Sequence, residues 1–523
     1  MNSKFARSAF VMITGALTIV VAALTQYGTD SKAHAATEFA HIAVAPRGLR
    51  FGLAREVETR FIRIRNTGNF EANVTVVPPS APFSVVAGGG SYALLPGQLM
   101  EVGVQFAPTE AGPVRDEMTI QCSNCVAAPD DNIVVRLAGN ARGAVAFGSG
   151  SPTPTPAPGG STANALPFEV TAGSFDNVDS PFASITICAS GTSRCTTVND
   201  VLIDTGSFGL RIFGSQLSRL GITPNVLGNQ KVGECAFFGS GSTWGAISTV
   251  DVKMAGEPTI TIPIQVMDDT NSFAAAPRAC TQGTQLMSSP DVAGLNGLLG
   301  VGQVASDAIF TDYYTCTTSS CTALNSPPKA DIVPNPVAVL STDNNGVVVS
   351  LPAISSGGER ATEGTLFFGI GTRSDNQPGS VKTYAANDNP NSLDYLNVDT
   401  TYKGVTAGGF FDSGSNGLFF NDSAIAECSD GSGFYCPSGT LSKSATNQGA
   451  SGSVSGAVSF SIANADALFN TNDAAFDNLG GTFDGGNSYD GFDWGLPFFF
   501  GRNVYVGLAG ASSPLGNGPY TAF

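Results

Sequence analysis

Histidine is almost missing from this chain. Only His34 and His41 occur among 523 residues, and both stand near the start. A Ser-His-Asp or Cys-His nucleophile needs a placed imidazole, and so do most catalytic zinc sites. Any hydrolytic chemistry would therefore have to run on carboxylates. Charge is scarce as well: charged residues make up 13%, with 25 Lys and Arg against 42 Asp and Glu. The net charge of −17 excludes a nucleic-acid partner, because neutralising phosphates takes clustered Lys and Arg. The Ala, Leu, Glu and Lys mixture of helical proteins is thin. After the first segment, no apolar run approaches the roughly 20 residues of a spanning helix.

What is abundant is glycine, at 63 residues, and phenylalanine, at 34. That balance suits strands joined by many turns. The length is too great for one core and suggests about three domains. Residues 1–35 read as a signal peptide. Lys4 and Arg7 open it, Ala9 to Leu24 is largely apolar, and Ala33-His34-Ala35 offers a small-x-small cleavage site. An exported protein, periplasmic or extracellular, is the expectation.

All ten cysteines follow that segment, and an even count in an exported chain reads as disulfides. Sequence neighbours suggest Cys122 with Cys125, Cys188 with Cys195, Cys316 with Cys321 and Cys428 with Cys436, leaving Cys235 for Cys280. Spacing alone does not determine the connectivity. No second close cysteine pair or histidine follows Cys122-x-x-Cys125 at zinc-site spacing, so a metal there is disfavoured.

Residues 38–145 alternate apolar and polar in short runs, as in Arg60-Phe61-Ile62-Arg63-Ile64-Arg65 and Met100-Glu101-Val102-Gly103-Val104-Gln105-Phe106. Asn66-Thr67-Gly68-Asn69, Pro78-Pro79 and Leu95-Pro96-Gly97-Gln98 punctuate them. Period-two runs with such breaks predict an antiparallel β-sandwich. The order of these elements resembles the immunoglobulin-like modules of the ASPM/SPD-2/Hydin group. The resemblance implies a binding or spacer unit with a possible protein partner. Residues 146–165, rich in Pro, Thr, Gly and Ser, predict a solvated linker.

From residue 166 to 523 the pattern is again strands and turns. Two runs stand out, Asp204-Thr205-Gly206-Ser207 and Asp412-Ser413-Gly414-Ser415. Each follows an apolar lead-in and enters a further apolar stretch. A strand that delivers an Asp into a Gly turn, twice at domain-scale spacing, predicts two similar lobes, about 166–350 and 351–523. Short helices are expected at Ser215 to Leu220 and Asp422 to Glu427. Two facing carboxyl groups cannot both ionise cheaply, so one keeps a proton. The ionised one can then activate a water while the protonated one supports the developing oxyanion. A lone Asp-Thr-Gly-Ser is usually only a turn; two with matched surroundings are more.

At these residues the chain resembles the pepsin-like aspartic peptidases, and exported bacterial proteins that share the same elements. The resemblance implies an all-β, bilobal, internally duplicated domain behind the sandwich. It places Asp204 and Asp412 as the catalytic pair, supported by Thr205, Gly206, Ser207, Ser413, Gly414 and Ser415. Phe238-Gly239-Ser240-Gly241 looks like the family's flap hairpin, so Phe238, Gly239 and Trp244 are expected over the substrate cleft. Asn296 to Gly302 and Trp494 to Phe499 look like the apolar-Gly segments beneath the two Asp loops. An extended peptide would be the substrate, with no cofactor and no metal.

Four departures from the family pattern stand beside these matches. Phe238 replaces the flap Tyr, and Arg211 replaces the Trp that supports it. The terminal Leu-Gly-Asp lacks its Asp, with Asp493 preceding the Gly instead. No basic propeptide is recognisable. Asp268-Asp269 and the Asp-rich run from Asp466 to Asp493 lack the regular calcium loop and are expected as solvated loops. Phe498-Phe499-Phe500 is expected as a buried strand. The rival expectation is a catalytically inactive peptidase-like protein serving surface binding or adhesion.

Overall fold

The computed structural model describes residues 40–45, 48–54, 58–107, 112–125, 132–141 and 162–523, the last range without 176, 283–284, 393, 430–431, 451, 453 and 484–490. The expected signal segment, and the expected linker up to residue 161, lie outside the described residues. No described helix is long and apolar enough to cross a membrane.

The first region packs two sheets face to face. One runs in the order Ile42–Ala45, Glu58–Asn66, Leu99–Phe106, Phe83–Ala87, and the other Gly48–Ala54, Asn132–Ala141, Gly112–Cys122, Ala72–Val77, Gly90–Leu94. Period-two alternation decides which side chains go in. Ile62 and Ile64 are fully buried and Arg63 between them is exposed; Val102, Val104 and Phe106 meet them from the neighbouring strand. Met118, Ile120, Ile133 and Val135 close the core from the second sheet. The Cys122–Cys125 disulfide pins the end of Gly112–Cys122.

The remainder is built on two lobes and a sheet that joins them. In each lobe the strand entering an Asp loop and the strand leaving it flank the same central strand. Cys195–Asp204 runs parallel to Gly297–Val301, and Phe208–Phe213 runs antiparallel to it. In the second lobe Val405–Phe411 runs parallel to Gly491–Trp494, and Leu418–Phe419 runs antiparallel. The joining sheet takes strands from both halves of the sequence: Ala165–Val170, Thr362–Phe368, Gly346–Leu351, Arg502–Gly507, Tyr520–Ala522 and Thr383–Ala385. Residue 350, the expected lobe division, falls inside Gly346–Leu351.

The lobes differ in what fills them. The second is aromatic: Phe492 stacks on Trp494 at 4.3 Å, and Phe411, Phe460 and Phe498 surround Trp494. The remaining disulfides join Cys188–Cys195, Cys235–Cys280, Cys316–Cys321 and Cys428–Cys436.

Several local expectations need correction. Only Gly214–Leu217 is helical after the first Asp motif. Asp422 to Glu427 forms turns instead of a helix, because the Asp422 carboxylate takes up the Ala424 N–H, the Tyr402 hydroxyl and Lys403. Phe498, Phe499 and Phe500 are buried, but a 3-10 turn, Leu496–Phe498, carries them in because Pro497 cannot donate to a strand ladder. The run from Asp466 to Asp493 is no solvated loop where described. It contains the helix Ala465–Phe469 and the fully buried Phe476 and Leu479. The last linker residues are packed as well, with buried Asn164 donating to the Phe368 carbonyl.

Candidate functional site

The two Asp loops meet at the lobe junction and grip each other. The Thr205 hydroxyl donates to the Phe411 carbonyl at 2.8 Å, and the Ser413 hydroxyl donates to the Ile203 carbonyl at 2.8 Å. In return the Ser413 N–H donates to Thr205 Oγ1 at 2.9 Å, and the Thr205 N–H donates to Ser413 Oγ at 3.1 Å. Four reciprocal bonds between buried groups hold the loops in one register. The hydroxyl residues Thr205 and Ser413 are therefore lobe-to-lobe locks.

Each carboxylate is then aimed by its own loop. Asp204 Oδ1 accepts from the Gly206 N–H at 2.7 Å and Oδ2 from the Ser207 hydroxyl at 2.5 Å. Asp412 repeats this with Gly414 N–H at 2.7 Å and the Ser415 hydroxyl at 2.8 Å. The glycines are required by close approach. A Cβ on Gly206 would lie 2.6 Å from Asp412 Cγ, and one on Gly414 would lie 2.8 Å from Asp204 Cγ. The central strands come equally near: a Cβ on Gly300 would lie 2.5 Å from the Phe208 nitrogen, and one on Gly495 2.1 Å from the Gly417 carbonyl oxygen.

The Asp204 and Asp412 carboxyl groups face each other across the junction, each packed against the glycine of the opposite loop. Asp204 is 5% exposed, and its proton affinity is raised well above the usual carboxylate range. Burial is the main cause, then the charge and hydrogen bond of Asp412; Ser207 and Gly206 act against it. A third acid, Asp493, is also 5% exposed and raised, chiefly by burial and then by Asp412, with Ser415 opposing. Three acids thus sit together with few compensating cations.

The hairpin expected as a flap pairs Gln230–Phe238 with Gly241–Lys253 and turns at Gly239-Ser240. Its tip is tied down by Ser242, whose N–H donates to the Gln285 carbonyl and whose carbonyl accepts from Met287. The Cys235–Cys280 disulfide staples its first strand to the same segment. Phe238 lines the cavity beside Asp204, and a Cβ on Gly239 would meet nothing within 4 Å. Trp244 is elsewhere. It is 4% exposed behind the hairpin, donates to the Ala274 carbonyl and packs on Phe273 and Tyr314. The expectation that Trp244 covers the cleft is therefore wrong; its indole fills a satellite core with the disulfide.

Arg211 is turned away from the carboxyl pair. Its Nη2 bonds Asp307 at 2.6 Å and Glu234 at 2.9 Å, and its Nη1 donates to the Phe208 carbonyl at 2.7 Å. All three charged side chains are buried. The Phe238 ring lies 5.7 Å from the guanidinium carbon, so the cation also steadies this hairpin. Glu234 and Asp307 escaped notice in the sequence. A buried Arg on an apolar strand demands acidic partners, and Glu234 within Val232-Gly233-Glu234-Cys235-Ala236 was the visible signal.

Among the described residues one group has metal-like spacing, Cys428, Cys436 and Asp466, and its two sulfurs are joined in a disulfide. Asp268 accepts from the Ser272 and Phe273 N–H groups, which makes it a loop organiser.

A family model described as "Protein of unknown function (DUF3443)" matches residues 160–523. The chain belongs to that family. A second family model, "HYDIN/CFA65/VesB-like, Ig-like domain", matches residues 49–138, on the first sandwich. No curated protein matches the chain. Among solved structures, the crystal structure of aspartic proteinase from Irpex lacteus is similar with a TM-score of 0.39 and 18% identity, covering 68% of this chain and 96% of that one. The pepsin-like reading of this DUF3443 chain rests on its own duplicated strand pairing and facing Asp loops.

Proposed function

We propose that the protein is an exported aspartic-type endopeptidase. The observation that carries this reading is the pair of facing carboxyl groups, Asp204 buried and Asp412 half-buried, each packed against the other loop's glycine and aimed by a glycine N–H and a serine hydroxyl of its own loop. In this reading Asp204 and Asp412 share one proton. The ionised carboxylate takes a proton from a water as that water attacks the peptide carbonyl. The protonated carboxyl donates to the carbonyl oxygen as charge develops there. Protonation then passes to the leaving nitrogen, which returns the pair to its starting state. The substrate lies as an extended strand between the flap and the loops, held by main-chain hydrogen bonds. Five disulfides are consistent with export.

The test is cleavage of an unfolded protein at acid pH by wild type, Asp204→Asn and Asp412→Asn. Each variant is expected to lose at least about 1,000-fold in rate, within the range for removing a general acid or base. Equal activity in all three would remove the pair from the chemistry. Binding of the substrate by wild type without any cleavage would favour a recognition protein that keeps the cleft.

A further inference from the structure

A second cavity, of about 350 Å³, is walled in the second lobe by the edge strand Ser455–Ile462 and the Leu496–Phe498 turn. That volume falls in the range of small-molecule sites, roughly 300 to 1,000 Å³. Neither Asp204 nor Asp412 lines it, so it stands apart from the carboxyl pair. Arg502 is the wall residue that calls for an explanation. Its guanidinium lies over the Phe498 ring, 4.5 Å from the centroid. Its Nη1 donates to the Phe498 carbonyl at 2.5 Å and to the Phe500 carbonyl at 3.2 Å. Ring and carbonyls together fix the plane of the cation. Nε and Nη2 form its other edge, and among the described residues nothing accepts from either. Neither atom is sealed from solvent, so a ligand can reach both.

The charge on that edge is under-compensated as well. Burial lowers the proton affinity of the guanidinium, and Asp477, which lines the same cavity, restores only part of it. Two parallel N–H donors on one guanidinium edge match the two oxygens of a carboxylate. The rest of the wall is hydroxylated. Ser442, Ser459 and Ser461 line it, and among the described residues none of their hydroxyls has a protein partner. Lys443 lines it too, but its ammonium is already held by Asp422 at 3.3 Å. The cation left to a ligand is therefore Arg502, with one acid nearby. A carboxylate brings a single negative charge to that balance. A phosphomonoester brings about 1.5 to 2 and would set the excess against Asp477.

We propose that this cavity binds a small hydroxylated carboxylate of the sugar-acid class, with the carboxylate held side-on by Arg502 Nε and Nη2 and the hydroxyls by the serines. The proposal is independent of the peptidase reading, since it uses neither the carboxyl pair nor the cleft beside it.

The probes are glucuronate, glucose and glucose 6-phosphate, which share a ring and differ in the group at its sixth carbon. Affinity for the full chain is read by calorimetry at pH 7. Glucuronate is expected to bind with a Kd of about 1 mM, ordinary for a ligand of its size. Glucose should bind at least about tenfold more weakly, for want of the charge-assisted pair. Glucose 6-phosphate should also bind more weakly than glucuronate. Arg502→Gln should bring glucuronate to the level of glucose, with melting curves confirming the fold. Because Nη1 also ties the Phe498 turn, a second measurement needs no variant. Phenylglyoxal modification of each arginine in wild type is mapped by mass spectrometry. Glucuronate at about ten times its Kd should slow the reaction at Arg502 by about tenfold and leave the exposed Arg278 unchanged. A glucuronate Kd above about 10 mM overturns the site. So does glucose or glucose 6-phosphate binding as tightly as glucuronate, a folded Arg502→Gln with undiminished affinity, or an Arg502 that glucuronate does not protect.

Discussion

The two Asp loops are the same device set in different ground. Their hydrogen bonds match one for one, from the glycine N–H groups to the reciprocal Thr205 and Ser413 contacts. One strand position further on they part. Arg211 faces Leu298 across the central strand of the first lobe, and Phe419 faces Asp493 across that of the second. The first loop therefore stands over a buried ion cluster, and the second over aromatics with one buried acid. The loop geometry is imposed locally and by the partner loop, so it survives. The surroundings obey only the packing of each lobe, so they diverge.

The strongest way to break this comparison is to make the lobes alike. Arg211→Phe installs the second lobe's residue and strands Glu234 and Asp307 without their cation. Removing one partner of a buried ion cluster costs about 3–5 kcal/mol. Chemical denaturation at pH 7 should show that loss, and it should shrink at acid pH, where Asp307, whose proton affinity burial already raises, takes up a proton. The same position in the second lobe is half-buried, and Phe419→Leu should cost roughly 1 kcal/mol. Similar losses at both positions would mean that the ion cluster contributes nothing beyond packing.

A second test asks whether the loops are equivalent as devices. Gly206→Ala pushes a methyl against the Asp412 carboxyl, and Gly414→Ala pushes one against Asp204. Each should lower the cleavage rate by about 100-fold, the expected effect of displacing a reacting group by an ångström. Melting temperatures should move little by comparison. A loss confined to one glycine would show that the two carboxylates tolerate displacement differently, and would assign the more demanding role to the one disturbed.

The loops were legible in the sequence because their chemistry is short-range. Asp, Gly and Ser within four residues specify a turn and its hydrogen bonds together, and the apolar flanks announce strands. The hairpin of Gln230–Phe238 and Gly241–Lys253 was legible for the same reason. Trp244 was misplaced because Gly241–Lys253 is buried on both faces through its first half, so alternation carries no direction there. Asp307 was invisible since its bond to Arg211 spans 96 residues, and no local pattern encodes such a meeting. The aromatic triplet at Phe498 was read correctly as buried and wrongly as strand; Pro497 decides the backbone, and burial alone does not.

The smallest expected effect bears on the acid that only the second lobe has. Asp493 occupies the place of Leu298, so Asp493→Leu restores the symmetry. Its proton affinity is raised in the folded chain, mainly by burial and then by Asp412. The folded state therefore binds this proton more tightly than the unfolded state does. By linkage, that contribution is fully present below the unfolded carboxylate pKa, near 3.9, and is lost as pH rises through the folded value. Stability of wild type should accordingly decline on going from pH 4 toward neutrality, and Asp493→Leu should flatten the decline without abolishing it, since Asp204 is raised as well. Melting temperatures of both proteins across that range measure it. An identical slope in the variant would show that Asp493 titrates alike in the folded and unfolded chains.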